Sequence, residues 1–478
     1  MGQEIDRTGF TQEDYLNYQE RLAQETEHLA ESARVGQLDN DHYQAGFELE
    51  AWLLDHAGFP SPVNERFLQR LNDPWVVQEL SCFNIELNAP PLAMGPGILP
   101  AMETSLAQTW QRCQEVAHGM DTVLAMVGIL PNLRAMDLDL KHMSAMKRYV
   151  ALNREVQRLR GGKPIHIHID GPESLEMLRP DVMLEAATTS FQAHLQVPYA
   201  LAGRLYNASL ICCGPLLAAS GNSPLLFGRH LWQETRVPLF EQSVELGGHA
   251  GLADVAVRRV SFGQGYVVDE LMELFRENLA LYPVLLPILQ EGPLDRYPNL
   301  RLHNGTIWRW VRPLVGFEEG RGCHVRLEQR VLPSGPSILD MMANAAFHFG
   351  LCHALASMPR PPETQLEFAD AKANFYEAAR HGLAARLKWP DGRTYPAKDL
   401  IMNIGLPLAR EGLANFGLPD SEVERYLEVF AQRVRSGQTG AVWQVRNLEH
   451  EQGDAGRMMA NYLENQRTGL PVHEWNPY

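Results

Sequence analysis

Among the six cysteines of this 478-residue chain, no pair has CxxC spacing. Cys82, Cys113, Cys212, Cys213, Cys323 and Cys352 are scattered, which argues against a zinc module or a disulfide framework and suits a reducing compartment. Cys212 and Cys213 are adjacent but sit in an apolar run, where packing is the expected role. No uncharged apolar stretch is long enough to span a bilayer. The opening MGQEIDRTGF lacks the apolar h-region of a secretory signal, and MGQEID lacks the Ser/Thr that ends a myristoylation motif. Lys and Arg form no run and the net charge is −16, so nucleic acid and anionic membrane are poor partners. A GxxxxGK[ST] loop is missing, so any use of ATP is not that of a P-loop enzyme. The glycines of GGHAGLADVAVRR (247–259) follow no strand and lack GxGxxG spacing, which argues against a dinucleotide site. These absences leave a cytoplasmic globular protein, with homo-oligomerisation left open.

What is present reads as a globular enzyme. Apolar residues make up 45% and charged residues 21%. The length exceeds what one core usually spans, so the chain forms one elaborated domain or two lobes. Residues 11–32 read as a helix capped by Thr11 with Asp14 three residues on. Met102, Leu106, Trp110 and Cys113 predict a long helix over Pro100–Val127. Further helices are expected over Asp181–Leu195, over the buried run VPYALAGRLYNASLICCGPLLAAS, over DELMELFRENL, and through most of the chain after Ser337. The prolines of MPRPPE (358–363) suggest a boundary, with a catalytic core in 1–358 and a helical subdomain packed on it in 359–478. Strands with polar faces between long helices, without strict βαβ alternation, predict an α+β fold with an antiparallel sheet.

Four of those strands share a property. In FELEAWLLD, Glu48 and Glu50 oppose Phe47, Leu49 and Ala51, because side chains alternate across a strand. In FNIELNAP, Asn84, Glu86 and Asn88 oppose Phe83, Ile85 and Leu87. In PIHIHID, His166, His168 and Asp170 oppose three isoleucines. In HVRLEQRV, His324, Arg326, Glu328 and Arg330 oppose Val325, Leu327 and Val331. Any one of these fits a sheet with a solvated face, but solvated faces mix Lys, Thr, Ser and Gln. Carboxylates, imidazoles and guanidinium groups on one sheet need cations and an anionic ligand to balance them. Such an oxygen-rich donor set suits Mg²⁺ or Mn²⁺, which ordinarily carry nucleotide phosphates. Zinc on His166 and His168 is the alternative.

The ordered set E-x-E, E-x6-E, H-x-H, N-S-P and R-x-E-x-R resembles the glutamate–cysteine ligase family, within the glutamine synthetase-like superfamily of carboxylate–amine ligases. ARHGLAARL and GQTGAVWQ are similar to tail elements of the bacterial members. The resemblance implies an active-site funnel walled by an antiparallel sheet, holding ATP and two or three divalent ions. It gives Glu48, His166 and Glu328 to a metal bridging the ATP phosphates, and Glu50, Glu79 and Glu86 to metal facing the amino-acid substrate. By the same carry-over His168 touches the nucleotide, and Asn222-Ser223-Pro224 becomes an active-site loop. Arg330 and Arg326 would meet the substrate carboxylate or the transferring phosphate, with Arg309 and Arg312 as a phosphate clamp. Glu79 and Glu86 are seven apart, so a turn or bulge near Ser81-Cys82 is required if both are ligands. The implied reaction phosphorylates the γ-carboxylate of glutamate and joins it to an amine, cysteine by the resemblance, as in glutathione biosynthesis. Another amine or peptide acceptor, or a non-catalytic nucleotide-binding homologue, is the alternative.

Overall fold

The computed structural model describes residues 4–247, 257–318, 322–476 and 478. Most of the glycine passage 247–259 lies outside the described residues. The strands in chain order are β1 (Gln44–Leu54), β2 (Val76–Gln78), β3 (Asn84–Asn88), β4 (Leu92–Ala93), β5 (Val123–Ala125), β6 (Ile165–Asp170), β7 (Ser174–Arg179) and β8 (Phe191–Val197). Two short pairs follow: β9 (Leu225–Leu226) with β10 (Arg229–His230), and β11 (Val260–Ser261) with β12 (Trp308–Arg309). β13 (Val311–Glu318) and β14 (Gly322–Gln329) return to the large sheet, and β15 (Arg386–Lys388) pairs with β16 (Thr394–Pro396).

The large sheet is antiparallel, in the order β13-β14-β8-β1-β3-β2, with β4 and β5 also on β1. Its apolar face is supplied by alternate residues such as Phe47, Leu49 and Ala51 of β1 and Ile85 and Leu87 of β3, all buried. Behind it lies the helix Tyr199–Ser220, apolar nearly all round and buried from Leu205 to Ser220. That helix contacts β14 and the helices Ile338–Ser357 and Phe368–His381. The apolar core is continuous from Ala45 to Trp475 and includes residues on both sides of the MPRPPE segment. Gly350 and Gly412 let the helices Ile338–Ser357 and Leu406–Asn415 approach backbone to backbone, because a Cβ on either would collide with the other helix. No helix among the described residues is long and apolar enough to cross a membrane.

The helix Gln12–Arg34 begins with the expected box: Thr11 accepts from the Asp14 backbone and Asp14 from that of Thr11. Two expectations are corrected. The helix placed over Pro100–Val127 spans Ile98–His118, and Val123–Ala125 instead pair with β1. The break falls at Gly119, whose N–H closes the last turn on Glu115 O. The helix placed over Asp181–Leu195 is a single 3₁₀ turn, Met183–Ala187, followed by strand β8. Thr188, Thr189 and Ser190 intervene, and the Thr189 N–H pairs with Gly128 O. β8 then lies between β1 and β14, bonded on both sides.

Candidate active site

The polar faces of five adjacent strands meet a cavity of about 310 Å³. Register decides which side chains converge. Glu50 of β1 stands opposite Glu86 of β3, and Glu48 stands opposite Gln192 of β8. Glu328 of β14 stands opposite both His194 of β8 and Arg312 of β13. Six carboxylates line the cavity, Glu48, Glu50, Glu79, Glu86, Glu185 and Glu328, with five arginines, Arg148, Arg301, Arg312, Arg326 and Arg330.

At this cavity the donors form two groups, with His194 set just behind the lining residues Glu48 and Glu328. Glu48, His194 and Glu328 each offer a ligand atom, all within 4.8 Å of one another. Glu50, Glu79 and Glu86 do the same. In the first group His194 Nε2 lies 3.4 Å from Glu48 and 3.8 Å from Glu328. Its side chain is 8% exposed, and Nε2 is buried with no hydrogen-bond partner. Arg326 Nε donates to the other ring nitrogen at 3.3 Å. Burial pushes the imidazole pKa down to about 4, so the ring is neutral at pH 7 and its lone pair is available. Glu328 is buried too, yet its carboxyl is held well below the ordinary range by Arg312, which donates from Nε (2.7 Å) and Nη2 (3.0 Å), and by Arg330. Burial opposes ionisation of Glu48, but His194 and Arg326 prevail and lower its pKa.

The second group has the opposite electrostatics. Burial and the neighbouring Glu79 push Glu50 up to about 8. Burial, Glu48 and Glu79 push Glu86 well above its ordinary value. Their protein donors are modest: the Ser190 N–H (2.7 Å) and Gln192 for Glu50, Asn88 for Glu86 (2.8 Å), and the Leu80 N–H for Glu79 (3.0 Å). Arg330 and Arg236 oppose the upward push at Glu50, and Arg148 lies in the field of Glu79 and Glu86. The mutual repulsion of three converging carboxylates prevails, and a buried cluster of this kind fits a hard divalent ion.

Several residues stand elsewhere than the sequence suggested. His166 and His168 lie on the separate β6–β7 hairpin, with side chains 54% and 50% exposed, and neither lines the cavity. They pair instead with Glu176 and Asp170. His166 is therefore not brought to Glu48 and Glu328; that position is filled by His194. The physical reason is that β6 keeps its isoleucines against the core but bonds only to β7, so its histidine face points away from the funnel. Arg309 is fully buried, held by Asn278 and Glu277, and also misses the cavity. Its neighbours Trp308 and Arg312 do border it. Asn222 and Ser223 are fully buried and do not border the cavity. Asn222 donates to Ser334 O (2.8 Å) and the Tyr462 hydroxyl (2.9 Å) and accepts from Gln444 (2.8 Å), while Ser223 Oγ accepts from the Arg236 N–H. The NSP and GQTGAVWQ segments are thus one buried contact, close enough that a Cβ at Gly440 would overlap Asn222. Glu79 and Glu86 converge because the chain turns at Ser81–Phe83, which sets Glu79, the residue after β2, and Glu86 of β3 on the two arms of an antiparallel pair rather than on one strand. The sequence reading did not single out His194, Glu185, Gln192, Arg148, Tyr149 or Arg301.

The sheet and its cavity define the class: a glutamine synthetase-like ligase fold. A glutamate–cysteine ligase from Francisella tularensis, solved in complex with AMP, superposes with a TM-score of 0.54 at 12% identity, over 92% of this chain and 91% of that one. A bifunctional glutathione synthetase from Pasteurella multocida gives a TM-score of 0.50 at 14% identity, over 93% of this chain and 55% of that one. No curated protein matches. The profile of glutamate–cysteine ligase family 2 matches residues 44–461. The chain belongs to that family and is an ATP-dependent ligase that forms a C–N bond, of the kind that makes γ-glutamyl linkages.

Proposed function

We propose that the cavity activates the γ-carboxylate of glutamate with ATP and joins it to the amine of cysteine. The observation that carries this is the pair of adjacent donor groups on one sheet face, one charge-ready and one self-repelling, with Arg312, Arg326 and Arg330 beside them. The neutral His194 Nε2, which lacks a hydrogen-bond partner, supports reading the first group as a divalent-cation site. Glu48, His194 and Glu328 would hold one Mg²⁺ or Mn²⁺, and Glu50, Glu79 and Glu86 one or two more. Ligation through Nε2 puts the ring proton on Nδ1 and so releases the long bond from Arg326. When bound, such cations neutralise the triphosphate and favour in-line displacement.

The chain's own residues do the rest. Arg330, fixed by Gln192 (2.7 Å) and Glu328 (3.0 Å), presents its guanidinium to the transferring phosphoryl group or the donor carboxylate. Arg312 locks Glu328 in place by a bidentate contact, and its charge adds to the same field. Attack of the γ-carboxylate on the γ-phosphorus gives an acyl phosphate, and the amine then displaces phosphate. Arg301, at the exposed side of the cavity, is placed to take an α-carboxylate. The six thiols are all free, as suits the cytoplasm, where we place the reaction.

The test is phosphate release from ATP and Mg²⁺ with glutamate and each amino acid in turn. Release that requires both glutamate and cysteine is expected. Tight ATP binding without release for any amine would leave only the non-catalytic nucleotide-binding reading. Trp308, Leu80, Leu152 and Leu286 favour a second reading, an acceptor with a larger apolar body, which the same panel resolves.

A further inference from the structure

Glu185 differs from the other five cavity carboxylates. It projects from the 3₁₀ turn Met183–Ala187, whose other four residues are buried in the core. The Thr188 hydroxyl ties down its carbonyl (2.7 Å), and Asn153 accepts from the Val182 N–H, so the backbone beneath it is fixed. Its side chain borders the cavity, in the field of Glu79, Glu50 and, more weakly, Arg330. Glu48 has His194, Glu50 has Ser190 and Gln192, Glu79 has the Leu80 N–H, Glu86 has Asn88, and Glu328 has two arginines. Of the six carboxylates that line the cavity, Glu185 is the one without a hydrogen-bond or ion-pair partner for its carboxylate among the described residues. A carboxylate left unpaired in a half-enclosed cavity is costly unless a ligand meets it.

The charge balance says which ligand. Glu50, Glu79 and Glu86 converge on one point and are satisfied by a cation shared among them, and that point leaves Glu185 out. What remains is one carboxylate in a cavity whose lining also includes the apolar Leu152, Val182 and Leu286. A single positive charge on a small body fits there. We propose that Glu185 receives the ammonium group of the amine acceptor and takes its proton as the amide forms; this rests on the ligase reading above. Glu185 first takes one proton from the ammonium, which frees the nitrogen lone pair. That lone pair makes the new bond to the acyl carbon, the bond from that carbon to the phosphate oxygen breaks with its electron pair leaving on phosphate, and the second nitrogen proton leaves on the phosphate.

The proposal separates two nucleophiles. Hydroxylamine is uncharged near neutrality and traps an acyl phosphate as a hydroxamate without needing an ammonium site. The wild type is given ATP, Mg²⁺ and glutamate with hydroxylamine, then with L-cysteine, glycine or ethylamine. Glu185→Gln should lose roughly 100-fold in kcat/KM for the best of the three amines. Its hydroxamate rate and its KM for ATP and glutamate should stay within about twofold, and Glu185→Asp should recover part of the loss. Equal losses with hydroxylamine and amine, or no loss with the amine, would overturn the assignment. Hydroxamate formation by a wild type that accepts none of the amines would overturn it as well. Absence of wild-type hydroxamate instead removes the ligase reading itself.

Discussion

Replacing His194 by glutamine changes one ligand atom and little else. The ring is neutral at pH 7, because burial pushes its pKa down to about 4, so the substitution alters no charge. Glutamine still offers a carbonyl to Arg326, whose bond to the ring is 3.3 Å long, and the cost to the fold should be about 1 kcal/mol. Cation binding is another matter, since His194 supplies one of three converging donor atoms. Removing a group that only orients a metal ligand weakens binding about 10–100-fold, which sets a floor for losing the ligand itself. At about 1.4 kcal/mol per factor of ten, that is at least 1.4–2.8 kcal/mol. The assay is Mn²⁺ titration in the presence of a non-hydrolysable ATP analogue, with Mg²⁺ activation of turnover alongside. The control is the double variant His166→Gln/His168→Gln, which alters only the exposed hairpin and should match wild type. The pH response is a second reading. A depressed imidazole pKa means no proton competes at this group above pH 5.5, so its share of the affinity should be flat from there to pH 8. Unchanged Mn²⁺ affinity in His194→Gln, or a tenfold loss in the hairpin variant, would refute the assignment.

The second carboxylate group predicts a pH dependence of the metal-free protein. Glu50 titrates near 8 when folded against 4.5 for an ordinary glutamate, so its contribution to stability is intact below pH 4.5 and is lost as pH rises through 8. Glu50→Gln should therefore gain melting temperature over wild type progressively from pH 5 to pH 8, a gain that Mg²⁺ erases; a difference independent of pH would sink the idea. Glu328→Gln should abolish turnover and, by stranding Arg312 and Arg330, destabilise the fold by about 3–5 kcal/mol. Normal turnover in that variant would break the metal assignment. Asn222→Ala should cost about 2–4 kcal/mol through its orphaned partners Ser334 and Gln444 yet leave the KM for ATP unchanged in the folded fraction. A tenfold rise in that KM would return the NSP loop to the nucleotide site.

The two histidines of PIHIHID and the one of SFQAHLQV show what a sequence can and cannot decide. Both segments alternate apolar with polar, and each carries histidine on its polar side. Period two gives a strand and two faces, and it says nothing about which sheet the strand joins. β6 finds only β7, so His166 and His168 face solvent, whereas β8 is bonded between β1 and β14, so His194 faces Glu48 and Glu328. Partner choice is a long-range property, fixed by register with residues 128 or more positions away, and alternation within a segment is silent on it. The carboxylate faces of β1, β3 and β14 were legible because each is wholly acidic, amidic or basic, a composition that solvent does not require. In β8 the polar side reads Gln-His-Gln, which is what a solvated edge looks like, and the apolar run before it suggested a helix continuing to Leu195. Thr188-Thr189-Ser190 was the local signal against that helix, since β-branched residues lose side-chain freedom there. The same misreading hid Glu185: in a regular helix it would be one more solvated acid, and only the short 3₁₀ turn ahead of β8 points it into the cavity.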